Sequence, residues 1–181
     1  MLVRRFEKKD AKEVSKLIIK TLRTTNIKDY SKAYIEKGVR ILNAKNIIEK
    51  ACTRHFYVVC LGEKIIGCGS IGYDGDKEES CFYTIFVTPE YQGEGIGRLI
   101  VESLERDEYA RKSKKIMVPS SITAKSFYLK LGYKRKYQSD IPNKDGLFIL
   151  EKYNNIWIIL KRVLIEWNRN LSGGKYGKWK R

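Results

Sequence analysis

The 181-residue chain carries 37 lysines and arginines against 21 acids and one histidine, a formal net charge of +16, with 43% hydrophobic residues. That suffices for one domain with its own core and excludes a chain disordered throughout. No uninterrupted apolar run approaches the ~20 residues of a membrane span, and a basic surface attracts phosphates, nucleic acid and anionic lipid without choosing among them.

In chain order, residues 2–6 read as a short strand. Asp10 is placed to cap a helix whose buried face is Ala11, Val14, Leu17, Ile18 and Leu22. Residues 26–52 read as helix in two pieces, 30–38 and 43–52. A meander follows, with strands at 56–61, 65–73 and 80–87 and turns at 62–64 and 74–76. Pro89 has no N–H for a sheet, so the third strand stops before it. A glycine-rich loop then opens a helix running to about residue 111. Next come a strand at 115–118, a helix at 123–131, a strand at 132–137, a turn at 143–146 and a strand at 147–153.

The order of strand, glycine loop and helix at 81–104 carries the chemistry. Gly93, Gly95 and Gly97 have no Cβ, so their backbone can approach a ligand closely. The first amides of the following helix have no internal partner and sit at the positive end of its dipole. Together they make a cradle for a diphosphate. The spacing is neither the dinucleotide G-x-G-x-x-G nor the G-x-x-x-x-G-K-[ST] of a Walker loop.

Gln92-Gly93-Glu94-Gly95-Ile96-Gly97 resembles the acetyl-CoA loop, Gln/Arg-x-x-Gly-x-Gly/Ala, of the GNAT N-acetyltransferase superfamily. About thirty residues on, the run from Ser121 to Tyr133 with Ala124, Phe127, Tyr128 and Gly132 is similar to that family's late helix, Ala-x-x-Phe-Tyr-x-x-x-Gly-Phe/Tyr. The resemblance covers residues 1–152. It implies an α/β fold: a single GNAT-like domain with a mixed, mostly antiparallel sheet flanked by helices. The strands at 81–87 and 115–118 would splay apart at its centre.

The resemblance also implies a site. Backbone groups of Ile85, Phe86 and Val87 would bond the pantetheine arm as an added strand. Amides of Gln92, Gly93, Glu94, Gly95, Ile96, Gly97 and Arg98 would hold the diphosphate, with the Arg98 side chain adding a charge-assisted bond. Ser121 stands where many relatives have asparagine and would reach the pantetheine less far, and Lys125 would meet the nucleotide phosphates. A backbone N–H near Val87 would polarise the thioester oxygen. Tyr128 would protonate the departing sulfur; its i, i+3, i+4, i+7 spacing with Ala124, Phe127 and Leu131 fits a packing aromatic as well. Several relatives carry a glutamate base on the strand before the loop. That register here holds Cys81 or Phe82, which leaves Glu79 as the nearest carboxylate, His55 as a second candidate, and water relay as the reading that needs neither. Tyr30, Tyr34 and Tyr83 are candidates to line an acceptor pocket.

The expected activity is transfer of an acetyl group from acetyl-CoA to a primary amine, on a small molecule, peptide or protein, by direct attack in a ternary complex. The alternative is a catalytically weak CoA-binding regulatory or interaction module. No metal is expected. Cys52, Cys60, Cys68 and Cys81 form no Cys-x-x-Cys pair and read as reduced, mostly buried thiols. Arg4 and Arg5 are followed by no signal-peptide apolar stretch, so a cytoplasmic location is expected.

Residues 153–181 form an extension with seven basic residues against one acid. Ile156, Ile159, Leu160, Val163, Leu164, Trp167 and Leu171 share one face of an amphipathic helix at about 155–171, followed by a basic tail at 172–181. The readings for it are a cover for the domain, a homodimer contact, an anionic membrane surface, or nucleic acid.

Overall fold

The computed structural model describes residues 1–154 together with Trp157, Ile159, 163–167 and Arg169, the side chains of residues 76 and 77 excepted. Seven strands form one sheet in the order β1-β2-β3-β4-β5-β7-β6: β1 Leu2–Arg5, β2 His55–Leu61, β3 Lys64–Asp74, β4 Asp76–Val87, β5 Lys115–Ser120, β6 Lys134–Arg135 and β7 Phe148–Tyr153. Every neighbouring pair is antiparallel except β4–β5. The helices are α1 Ala11–Thr24, α2 Lys32–Ile41, α3 Ala44–Ala51, α4 Ile96–Glu105, α5 Glu108–Lys112 and α6 Lys125–Lys130. The expected α/β architecture, with a mostly antiparallel sheet between helices, is the one observed.

Alternation in the strands divides the core in two. On one face Val14, Leu17 and Ile18 of α1 pack with Phe56, Val58 and Cys60 of β2 and Ile65 and Cys68 of β3. On the other, Ile96, Ile100, Val101 and Leu104 of α4 meet Val59, Ile66 and Ile71. α4 lies so close to β3 that a Cβ on Gly69 would stand 2.5 Å from Ile100. Cys60, Cys68 and Cys81 are buried and all four cysteines are free thiols, as expected.

Several expectations change. The helix drawn to 111 is two helices, because Asp107 accepts the Tyr109 amide (2.9 Å) and caps a new start. Asp10 does not cap α1. Its carboxylate takes the Glu7 amide (2.8 Å) and a two-pronged bond from Arg4 (2.7 and 3.0 Å), closing the turn before the helix. The strand at 132–137 shrinks to the two residues of β6, with Gly132 in the left-handed conformation (φ 85°).

The C-terminal helix and tail expected at 155–181 lie largely outside the described residues; within them, 163–167 are helical. Among the described residues no helix is long and apolar enough to cross a membrane.

Candidate active site

β4 and β5 are paired only at Glu79–Lys115, Ser80–Ile116 and Cys81–Met117. Beyond Cys81 they part, as the sequence reading anticipated. A cavity of about 910 Å³ opens there, walled by residues 82–87 of β4, 118–121 at the end of β5, the glycine loop, α6, and one face of α2. Its size is in the range of a ligand site.

A bulge shapes the β4 wall. Cys68 faces Phe86 and Ser70 faces Tyr83, so Thr84 and Ile85 oppose the single residue Gly69. Thr84 takes φ 53°, a left-handed conformation that a β-branched residue rarely adopts. Nothing in the apolar run 81–87 announces this. The signal lay in the neighbouring strand, where glycine inside a strand pattern marks a bulge or a close approach.

The glycine loop begins with a short turn at Pro89–Tyr91. The Gln92 amide is spent on Pro89 (3.3 Å), so it does not join the cradle. The amides of Gly93, Glu94, Gly95, Ile96, Gly97 and Arg98 have no acceptor among the described residues; the first helical bond of α4 runs from Leu99 to Gly95. Gly93 and Gly95 sit at φ 88° and 82°, and a Cβ built on either meets nothing within 4 Å. Gly97 is close to Phe127 instead, 3.1 Å from the built Cβ. Six consecutive amides therefore have no acceptor among the described residues, and Gly93, Gly95, Gly97 and Arg98 of this run line the cavity. The Gln92 side chain has a different use: it donates to the Val87 carbonyl (3.0 Å) and to Thr25 (3.3 Å), and Thr21 donates to the same carbonyl (3.2 Å). The end of β4 is thereby tied to α1.

Tyr128 is 4% exposed and lines the cavity, and its hydroxyl has no hydrogen-bond partner among the described residues. Burial, with a smaller contribution from Cys81, raises its pKa well above that of a free phenol. Burial also pushes the Cys81 thiol up to about 12. The ring packs edge-on against Phe127 and Tyr133, so Tyr128 is both a packing aromatic and a cavity residue.

Ile85, Phe86, Val87, Arg98 and Ser121 also line the cavity, although the Ser121 hydroxyl accepts the Ala124 amide (3.2 Å). Lys125 does not: its ammonium lies over the Phe148 ring (4.0 Å) and faces Asp140 (3.8 Å). Lys130, near the other end of α6, lines the cavity in its place, a position the motif reading passed over.

Neither candidate base reaches the cavity. Glu79 sits where β4 and β5 are still paired and bonds Lys115 (3.1 Å), which is shared with Glu151 (3.1 Å). His55 is held by Asp107 (2.8 Å) on the α5 side. Tyr30, Tyr34 and Tyr83 all line the cavity. Tyr30 also knots three segments: it donates to Gly146 (2.7 Å), accepts from the Ile122 amide (2.9 Å) and stacks on Tyr34 at 4.4 Å.

Residues 52–135 match the model of the acetyltransferase (GNAT) domain. The fold is shared with solved structures of low identity. A PaiA N-acetyltransferase from Thermoplasma acidophilum, in complex with coenzyme A, superposes with TM-score 0.73 at 17% identity over 84% of this chain and 98% of that one. A GCN5-related N-acetyltransferase from Rhodopseudomonas palustris gives 0.69 at 18%, over 84% and 95%. An aminoglycoside 6'-N-acetyltransferase complexed with coenzyme A gives 0.61 at 16%, over 84% and 97%. No curated protein sequence matches the chain. The match to the GNAT acetyltransferase domain model spans the glycine loop and α6, and the fold is the one these acetyltransferase structures share.

Proposed function

We propose that the protein transfers an acetyl group from acetyl-CoA to a primary amine by direct attack in a ternary complex. The observation that carries this reading is the run of unpartnered amides at 93–98, of which those of Gly93, Gly95, Gly97 and Arg98 belong to residues lining the cavity that Tyr128 also lines. Those amides and the positive end of α4 suit a diphosphate, with Arg98 and Lys130 as the nearby cations. The stretch of β4 that β5 leaves unpaired suits the amide-bearing pantetheine arm. The Val87 carbonyl is already taken twice, so Ile85 and Phe86 are left as the main backbone partners.

Tyr128 acts as the acid. A free thiol has pKa ~8.5 and would leave water as a weak base. Burial keeps the Tyr128 phenol protonated, so it can pass its proton to the sulfur as the C–S bond breaks. Roughly one alkylamine in 2,500 is neutral at pH 7, given a pKa of ~10.4. With Glu79 and His55 placed elsewhere, water carries the proton away from the amine.

The test is thiol release from acetyl-CoA, followed against a panel of small amines, peptides and basic proteins. Amine-dependent release is expected. Tight acetyl-CoA binding with no release on any acceptor overturns the enzyme reading and leaves the binding module.

A further inference from the structure

The wall of the cavity facing the glycine loop is one face of α2, where Tyr34, Lys37, Gly38 and Ile41 recur at i, i+3, i+4 and i+7. Ile41 is 43% exposed and Tyr34 36%, an apolar and aromatic surface backed by the stacked Tyr30. The loop pinned by Tyr30 brings Lys144 and Asp145 to the same opening. Among the described residues lining the cavity, Asp145 is the only acid, against Lys37, Lys144, Arg98 and Lys130. Arg98 and Lys130 stand at the diphosphate end. Lys37 and Lys144 stand apart from it, are exposed, and make no hydrogen bond, ion pair or ring contact among the described residues. Other cations of the early helices and late loops are already engaged: Lys20 with Glu90, Arg23 with Glu36, Arg135 with Asp140.

We infer that the acceptor is an amine borne on a flat apolar body that also carries an anionic group, a carboxylate or a phosphate. The inference rests on the acetyltransferase reading of the cavity. The physical argument is a difference of charges. A polycationic acceptor would bring its second ammonium against Lys37 and Lys144 with one carboxylate to offset them, and no acidic lining reverses the repulsion of the +16 chain. An anionic group meets two unspent ammoniums, and the tyrosine face receives a flat body without ordering a long side chain.

Four acceptors sharing one amine test this: phenethylamine, para-carboxyphenethylamine, tyramine O-phosphate and para-(aminomethyl)phenethylamine, each assayed by thiol release. One of the two anionic acceptors, or both, is expected to exceed phenethylamine in kcat/KM by about tenfold, the size of two exposed ion pairs. Which of the two leads separates carboxylate from phosphate. The dication is expected to fall below phenethylamine, and the anionic advantage to shrink with salt. In the double variant Lys37→Glu/Lys144→Glu the order should invert. A dication that matches or beats phenethylamine, or an anionic advantage that survives the double variant, overturns the inference while leaving the acetyltransferase reading intact. If no amine is turned over, that reading falls, and calorimetric binding of the same four compounds to the CoA-loaded protein decides the acceptor chemistry: anion-selective binding lost in the double variant upholds it, and unselective binding or none overturns it.

Discussion

Two polar clusters lie on this small sheet, and they differ in whether their groups are spent. Around Asp107 every role is filled. The carboxylate is buried, accepts from the Tyr57 hydroxyl (2.7 Å), His55 (2.8 Å) and the Tyr109 amide (2.9 Å), and has Arg5 at 3.4 Å. His55 lies in turn against the Tyr109 ring at 4.5 Å. On the cavity side the amides of Gly93, Gly95, Gly97 and Arg98, the Tyr128 hydroxyl and two lysines have no partner among the described residues. An Asp–His–Tyr grouping has the composition of catalytic machinery, whereas a row of glycine amides has no side-chain chemistry at all. Satisfaction reverses that impression: a closed network stabilises a fold, and an open row of donors marks the place for something that is not protein.

The largest expected effect breaks the closed network. Asp107→Ala leaves the Tyr57 hydroxyl and the Tyr109 amide without their acceptor and should lower unfolding free energy by about 3 kcal/mol in a denaturant titration. Acetyl-CoA affinity of the folded fraction should stay within about twofold, since the network does not line the cavity. A variant that kept its stability and lost the ligand would invert the comparison.

The same residue sets a pH dependence. Burial opposes the Asp107 charge, but the bonds from Tyr57, the Tyr109 amide and His55 outweigh it and hold the pKa below the usual value. A lowered folded-state pKa means the stabilisation is present above the unfolded value of ~3.9 and is lost as pH falls through the folded one. Wild type should therefore lose stability on acidification over that window more steeply than Asp107→Asn, as read from melting temperature against pH.

On the open side, Tyr128→Phe removes a hydroxyl with no partner, so stability should hold or rise slightly while the acetyl-transfer rate falls about 10²-fold. Because burial keeps the Tyr128 proton on, the acid should not be lost at mildly alkaline pH. With amine ionisation as the only titration, log kcat/KM should climb with unit slope from about pH 6 to 9. A plateau near neutrality would reveal a protein base, with Asp145 the carboxylate among the described cavity residues.

How much of this the sequence disclosed follows from the range over which each feature is determined. The meander, α1 and the glycine loop are written locally, in alternation, helical spacing and residues without a Cβ, and they were legible. The parting of β4 from β5 was legible only through the family resemblance, since it depends on strands about thirty residues apart. The Thr84 bulge left its only signal in a glycine of the neighbouring strand, while the Tyr30 knot between residues 30, 122 and 146 and the closed Asp107 network draw on partners more than a hundred residues away that no spacing announces. Glu79 and His55 looked available because sequence shows a titratable group but not its partner. Lys125 was misplaced for a related reason. A motif fixes which residues open a helix, and the Phe148 ring that draws this ammonium away comes from a strand outside the motif.

That last contrast gives the smallest and sharpest test. Lys125 and Lys130 lie on one short helix, carry the same charge and differ in where they point. Long-range attraction for the phosphates of acetyl-CoA would be nearly the same for both, and so screened that neither would matter much at physiological salt. A direct contact depends on reach. Lys130→Ala and Arg98→Ala should each weaken acetyl-CoA binding by about three- to tenfold in a calorimetric titration, the usual size of a partly exposed charge-assisted bond. Lys125→Ala should change it by less than about twofold, because its ammonium is already engaged by Phe148 and Asp140. Equal losses at all three positions would mean that the cavity gathers its ligand by net charge alone, and the distinction between spent and unspent groups would then fail where it is most finely drawn.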